Sequence, residues 1–193
     1  MFSQMKTKAY QTILECFKII DKELHKRSQG DSHNLQYSLW LEKGYNNLGI
    51  DDLYTIKELD LSYSLIVELP SEFAYLTTLE HINLAGNYIE EVPRWVWQMS
   101  NLKELILGNL IAGGNPIKTL SADIRHLQKL EMLDIRNLHD LEALPNELLE
   151  LKNLFYIQIT QMSLYESDLV QKMQKMKRPC VMFDEPFLPL GEI

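Results

Sequence analysis

Three side chains able to hold a metal ion or exchange a proton recur at a fixed interval. Glu58, His81 and Glu104 are separated by 23 residues each. Side by side, such a row could bind a divalent cation, or its carboxylates could raise the pKa of His81 and make binding depend on pH. The alternative, which we favour, is a solvated row in which His81 separates two like charges.

The sequence has no recognisable catalytic motif. The glycine pair at residues 113–114 lacks the Lys and Ser or Thr of a phosphate-binding loop, and no zinc-type cysteine pair occurs. Arg178 could lower the pKa of the Cys180 thiol, but the apolar segment around Cys180 favours a buried, inert thiol. We predict no catalytic residue, cofactor or metal; an enzyme or metal-dependent site centred on His81 is the alternative.

Composition limits the class of protein. The 193 residues are 46% hydrophobic with a net charge of −8, which suits one globular core and argues against nucleic-acid binding. No apolar run approaches the roughly 18 residues of a membrane span, and residues 1–6 do not resemble a secretory signal. We therefore expect a cytoplasmic protein without membrane contact, in which Cys16 and Cys180 are reduced and mostly buried.

The 23-residue interval belongs to a longer repeat. Apolar residues alternate in five segments, which begin at Ile56, Leu79, Leu102, Leu130 and Leu154. The first four are each followed by a second motif with two further apolar residues at three-residue spacing, and its starts are Leu69-Pro70, Val92-Pro93, Leu120-Ser121 and Leu144-Pro145. The alternation predicts short strands with one buried face, and the second motif predicts one or two helical turns.

This pattern resembles the leucine-rich-repeat family, in the variant whose units carry Leu-Pro. The resemblance covers residues 53–161 and implies an α/β fold, a right-handed solenoid with a parallel sheet on its concave side. It also implies a non-enzymatic protein–protein interaction module. The short Leu-Pro units look bacterial, which suggests either an adaptor in the producing cell or an effector translocated into a host cell.

An open solenoid exposes its core at both ends, so we predict caps. Residues 1–52 form an N-terminal helical cap, whose second half is open to interpretation as a degenerate repeat. Residues 53–162 hold the repeats, and residues 163–193 hold a helix, an edge strand and a tail. The apolar spacing of Ile13, Phe17 and Leu24 makes the first helix amphipathic, and a membrane-surface or partner helix is the alternative to a cap.

Two departures from the family pattern concern the turns. The family places an asparagine three residues after the second strand leucine, and only Asn87 stands there in phase; the equivalents are Ser64, Leu110, Leu138 and Met162. The third unit also has about five extra residues within 108–116, which predict an irregular loop. The loop is either a tolerated surface insertion, the interpretation that we favour, or a segment that reaches over the concave face.

The solvent-facing positions of the concave sheet are the predicted binding surface. Neighbouring strands lie about 4.8 Å apart, so equivalent positions touch. The predicted partner-binding residues are Glu58, Asp60, His81, Asn83, Glu104, Ile106, Met132, Asp134, Arg136, Tyr156 and Gln158. Acidic residues dominate one end and apolar residues the other, so we expect a protein or peptide partner with a basic and an apolar patch.

A secondary surface is predicted at Trp95, Leu110 and Ile111. Trp95 aligns with acidic residues of the other units, namely Glu72, Asp123 and Glu147. It is therefore either an exposed contact residue or packed under a neighbouring side chain. Leu110 and Ile111 lie at the tip of the inserted loop. We expect a monomer, and a dimer through the cap edge or Trp95 is the alternative.

Overall fold

The repeat segments form one parallel sheet. The computed structural model describes residues 2–28, 40–110 and 114–184. Its six strands are β1 (Glu58–Asp60), β2 (His81–Asn83), β3 (Glu104–Ile106), β4 (Met132–Asp134), β5 (Tyr156–Ile159) and β6 (Cys180–Phe183). They lie in chain order, each paired with the strand that follows it in sequence. The five repeat strands and the added edge strand of the sequence analysis are confirmed.

Each of the first four repeats returns to the sheet through a short 3-10 helix. These helices are Ser71–Tyr75, Arg94–Gln98, Ala122–His126 and Asn146–Glu150. Three begin directly after a proline, which has no N–H to leave unpaired. The other begins after Ser121, whose hydroxyl accepts a hydrogen bond from the Asp123 N–H at 3.1 Å. The middle residue of each helix is fully buried, so the helices close the core opposite the sheet.

Helix α1 (Phe2–Ser28) covers the N-terminal end of this core. Its Phe17 ring lies 5.0 Å from the Tyr45 ring and 5.8 Å from the Phe73 ring of the first repeat, and the Tyr10 hydroxyl donates to the Leu48 carbonyl at 3.0 Å. Between α1 and β1, residues 40–57 form helical turns, including α2 (Ile50–Leu53), and no strand. The described part of the degenerate repeat predicted from Tyr37 onward therefore forms helical turns, and its first residues, 37–39, lie outside the described residues.

The C-terminal end carries two helices and the edge strand. Helix α3 (Met162–Tyr165) is followed by α4 (Asp168–Met176), where the Ser167 hydroxyl accepts from the Val170 N–H at 3.4 Å. Strand β6 brings Cys180 opposite Tyr156, on the solvent side of the sheet. The expectation that Cys180 is buried was therefore wrong. Cys16 is half-buried, and burial raises the pKa of its thiol to about 11.

Buried asparagines bond the turns of adjacent repeats. The Asn87 side chain accepts from the Ser64 and Ile66 N–H groups and donates to the Leu61 and Leu84 carbonyls. Asn115 acts in the same way in the third unit, accepting from the Ile89 N–H at 3.0 Å. The alignment had placed Leu110 at that position, which was wrong because the extra residues precede the asparagine.

The inserted loop is tied to the fourth repeat at its start and near its end. A Cβ atom added to Gly108 would lie 1.7 Å from the Arg136 carbonyl oxygen, and one added to Gly114 would lie 2.2 Å from the Asn137 carbonyl oxygen. Between these contacts, the Asn137 amide donates to the Asn109 carbonyl at 2.6 Å. The two glycines are therefore required by close backbone approach rather than by an unusual turn.

Glu80 joins three consecutive repeats beside the sheet. Its carboxylate lies 2.8 Å from the Lys57 amine and 2.6 Å from the Lys103 amine. Hydrogen bonds from Lys103 and then Lys57 lower the pKa of Glu80 to about 2 from an ordinary value of 4.5. A lowered pKa in the folded state adds stability above the ordinary pKa, and that stability is lost as the pH falls towards the folded value.

We therefore expect Glu80→Gln to lower the melting temperature slightly at pH 7 and to have a smaller effect near pH 2, where the carboxylate is partly protonated. The difference at pH 7 should be small, since both lysines remain partly exposed to solvent, and 0.5 M NaCl should reduce it further. Thermal unfolding followed by circular dichroism at both pH values measures it. An equal difference at pH 7 and pH 2 would mean that the charge of Glu80 is not the cause.

No helix within residues 2–28, 40–110 and 114–184 combines the length and the apolarity that crossing a bilayer requires.

Candidate functional site

The solvent-facing side of the sheet brings the predicted site residues into two columns. Glu58, His81, Glu104, Met132 and Tyr156 are partners across successive strands, and so are Asp60, Asn83, Ile106, Asp134 and Gln158. This register confirms the alignment of the sequence repeats. Strand β6 extends the columns with Cys180 and Met182. We call the exposed side of the two columns the open face.

A shallow pocket of about 300 Å³ lies at the β1 end of the open face. It is lined by the strand residues of β1 and β2 together with Glu104 and Ile106. The His81 Nδ1 atom lies 3.0 Å from the Glu104 carboxylate. Glu58, on the other side of His81, is exposed. The predicted row is therefore present, with His81 paired towards β3.

The row does not form a metal-binding cluster. In the part of the chain that the structure describes, no group of three or more His, Cys, Asp or Glu side chains is placed to hold an ion. The alternative of a metal-dependent site at His81 therefore has no structural support among those residues.

Lys43 partly neutralises the negative charge of this pocket. Its amine lies 3.2 Å from the Asp60 carboxylate, which also accepts from the Ser62 N–H at 2.9 Å and from the Ser62 hydroxyl at 2.6 Å. Burial raises the pKa of Asp60, but the bonds from Ser62 and the charge of Lys43 outweigh it, so the pKa is lowered overall. Sequence reasoning missed Lys43 because it precedes the repeats, where no register could place it.

Asp134 is not part of the accessible surface. Its side chain is only 3% exposed, because Arg136 folds back over it with its Nη2 atom 2.5 Å from the carboxylate. Asp184, just after β6, holds the same guanidinium at 3.0 Å. The hydrogen bond to Asp134 raises the pKa of Arg136. The expectation that Asp134 faces solvent was wrong, and Asp134 and Arg136 pair with each other.

Side chains of the second column also stabilise the ends of the strands. In three repeats its side chain accepts a hydrogen bond from the N–H group two residues later, and the pairs are Asp60 with Ser62, Asn83 with Ala85, and Asp134 with Arg136. This local bond ends the strand and starts the turn. The sequence signal for this bond was an Asp or Asn at the last position of the strand. From the sequence we assigned these residues to partner binding alone.

The C-terminal half of the open face is more apolar. Tyr156 is 49% exposed, whereas Ile106, Met132 and Gln158 are half-buried. Exposed Cys180 borders Tyr156 on β6. The expected apolar surface is therefore present, and Tyr156 is its most accessible member.

The predicted secondary surface is largely covered. Trp95 is only 4% exposed and stacks on Phe73 with ring centroids 5.4 Å apart. The packed alternative is thus confirmed, and Trp95 is not a surface contact. Leu110 is half-buried, and Ile111 lies outside the described residues.

Comparisons with known proteins find leucine-rich repeats. A family model for the leucine-rich repeat matches residues 54–111. A leucine-rich-repeat protein of Leptospira interrogans is 30% identical, with 57% of this chain and 26% of that chain covered and a TM-score of 0.47. The repeat domain of the type III effector XopL is 20% identical, with 75% and 63% covered and a TM-score of 0.43.

A plant structure is similar over a comparable part of the chain. The ectodomain of the Arabidopsis thaliana receptor kinase GASSHO1/SCHENGEN3, in complex with CASPARIAN STRIP INTEGRITY FACTOR 2, is 23% identical, with 58% of this chain and 16% of that chain covered and a TM-score of 0.39. The chain thus spans less than two thirds of each of these structures. The family match over residues 54–111, together with repeat strands paired in register from β1 to β5, shows a leucine-rich-repeat fold in this chain.

Proposed function

We propose that this protein is a non-enzymatic binding module that takes a protein or peptide partner on the open face. Leucine-rich repeats generally serve protein–protein interaction, through the extended surface that stacked repeats create. The observation that carries the proposal is the continuity of the open face over six strands, from a carboxylate-lined pocket to the exposed Tyr156.

The two ends of the open face suggest the chemistry of the partner. Glu58 and Glu104 suit a lysine or arginine side chain in the pocket, since Asp60 is already paired with Lys43. Tyr156 suits an apolar group. His81 and Tyr156 are three strands apart, about 14 Å, which an extended segment of about four residues spans. One short basic and apolar segment lying across the strands would therefore reach both.

The cellular setting is part of the proposal. We propose a monomer that acts in the bacterial cytoplasm as an adaptor, or in a host cell as a translocated effector. The support is the bacterial-looking Leu-Pro form of the units. Fractionation of the producing cells, with and without host contact, distinguishes the two settings, and light scattering of the purified protein tests the monomer.

Charge reversal on the open face tests the binding proposal. A photo-crosslinking amino acid at Ile106 identifies the partner, and its affinity is then measured by calorimetry. We expect Glu58→Lys/Glu104→Lys to bind at least about tenfold more weakly, because close charge pairs across an interface contribute on this scale.

The matched control makes the same charge change away from the open face. Glu142→Lys/Glu150→Lys replaces two exposed glutamates between β4 and β5, and its affinity should stay within about twofold of the wild type. Equal weakening of binding by both double variants would mean that the net charge of the protein, and not the open face, causes the effect. Unchanged affinity in Glu58→Lys/Glu104→Lys would place the partner elsewhere.

A further inference from the structure

A second concave surface lies on the other side of the first repeat, away from the open face. It is a groove of about 710 Å³ between α1 and the turn that follows β1, and we call it the cap groove. Its apolar lining includes Ile19, Leu65 and Val67. Its volume falls within the range of protein pockets that bind ligands, about 300–1,000 Å³.

Val67 departs from the pattern of the repeats. Ile66, which precedes Val67, and Ile89 occupy equivalent positions in the first and second repeats, because their N–H groups bond to Asn87 and Asn115 respectively. In that register the position of Val67 carries an exposed charged residue in the next three units, namely Glu90, Lys118 and Glu142. Val67 itself is 67% exposed. The fold therefore does not require an apolar side chain at this position.

Ile19 breaks the pattern of α1 in the same way. The buried stripe of the helix consists of Ile13, Phe17, Ile20 and Leu24, whereas Ile19 is 56% exposed beside it. A helix that served only as a cap would gain nothing from an isoleucine in solvent. Ile19 and Val67 thus form an exposed apolar pair in one groove, each placed where structure alone favours a polar residue.

The charges of the cap groove are all of one sign. Glu15, Glu23 and Glu68 line it, and none of its described lining residues is lysine or arginine. Val67 and Glu68 also line an adjoining groove of about 620 Å³, which adds Glu90 and Glu91. A groove that combines apolar side chains with several glutamates repels anionic lipid headgroups and attracts a cationic protein segment.

We propose that the cap groove is a second protein-docking site, which accepts a partner segment that presents an apolar side chain flanked by lysine or arginine. The apolar side chain packs between Ile19 and Val67. The flanking cations face the glutamates of the groove, which are Glu15, Glu23 and Glu68. This site does not depend on the open face, because none of its residues belongs to the two columns of the sheet.

Val67→Glu tests the docking site with a synthetic probe. The probe is an 18-residue helical peptide of lysine and leucine, titrated into protein with labelled methyl groups while nuclear magnetic resonance follows the Ile19 methyls. We expect the apparent affinity at Ile19 to fall at least tenfold. The fold should accept the change, since two other units carry glutamate there, and a thermal melt checks this.

The direction of the change in affinity distinguishes docking in the groove from general electrostatic attraction. Val67→Glu adds a negative charge, so attraction of a cationic peptide to an acidic protein predicts equal or tighter binding. Lys118→Glu, at the equivalent position of the third repeat, is the matched control and should leave the Ile19 titration unchanged. A peptide with glutamine in place of leucine should not shift the Ile19 methyls.

Three results would overturn the proposal. The first is binding to Val67→Glu that equals or exceeds binding to the wild type. The second is a glutamine peptide that shifts the Ile19 methyls as the leucine peptide does. The third is a wild-type dimer, seen by light scattering, that Val67→Glu converts to a monomer, because the groove would then belong to a second copy of the chain. None of these results bears on the open face.

Discussion

Asn87→Ala is expected to lower the free energy of unfolding by about 3 kcal/mol or more. The amide is buried and bonds four backbone groups of two adjacent turns, at 2.8 Å to the Leu61 and Leu84 carbonyls and at 2.9 and 3.0 Å from the Ser64 and Ile66 N–H groups. Alanine leaves these groups without a side-chain partner in the interior. Each such loss costs about 1–3 kcal/mol, and partial entry of water reduces the sum.

Urea unfolding of the variant measures this cost, and Asn101→Ala is its matched control. The Asn101 amide also bonds to the preceding repeat, at 2.9 Å to the Thr77 carbonyl, but in an exposed position. Water can replace that bond, so we expect a loss below about 1 kcal/mol. If both variants lose the same amount, burial of the asparagine is not what makes its bonds important.

Gly108→Ala is expected to destabilise the protein by about 3 kcal/mol, although it adds a single methyl group. The new Cβ atom would lie 1.7 Å from the Arg136 carbonyl oxygen and 2.9 Å from its carbon. Both are backbone atoms of the next repeat, so the overlap is relieved only when β3 and the turn after β4 move apart. Overpacking of a rigid site costs about 1–3 kcal/mol and sometimes more.

Gly49→Ala is the control for the loss of backbone freedom. A Cβ atom at Gly49 would meet the Asp52 carboxylate at 3.3 Å, and that side chain can turn aside. Its effect on urea unfolding should stay within about 1 kcal/mol in either direction. Equal stability of Gly108→Ala and the wild type would show that the third and fourth repeats separate at little cost.

The register of the sheet was predictable because it depends on local order. Alternation of apolar residues fixes which side chains of a strand are buried, and the recurring strand motif then aligns one strand with the next, although the intervals between motifs range from 23 to 28 residues. The Glu58, His81 and Glu104 row followed from this rule alone. The proline that precedes three of the 3-10 helices was an equally local signal.

The features that sequence reasoning left open or missed depend on contacts between distant parts of the chain or on a shift in repeat spacing. The burial of Asp134 depends on Arg136 and on Asp184, which arrives with β6. Trp95 is covered by stacking on Phe73 of the preceding repeat. Asn115, rather than Leu110, is the buried asparagine of the third repeat, because the inserted residues shift it along the chain. An alignment at constant spacing cannot follow such a shift.

The link between Arg136 and Asp184 has a consequence for how the stack comes apart. In a repeat protein each unit mainly contacts its neighbours, so terminal units can fray one at a time. Arg136 lies in the turn after β4, and Asp184 follows β6, so their ion pair passes over β5. Loss of β6 alone would uncover the guanidinium and the Asp134 carboxylate beneath it. We therefore expect the last three strands to open as one cooperative unit, with amide hydrogens that exchange together rather than in succession from the end.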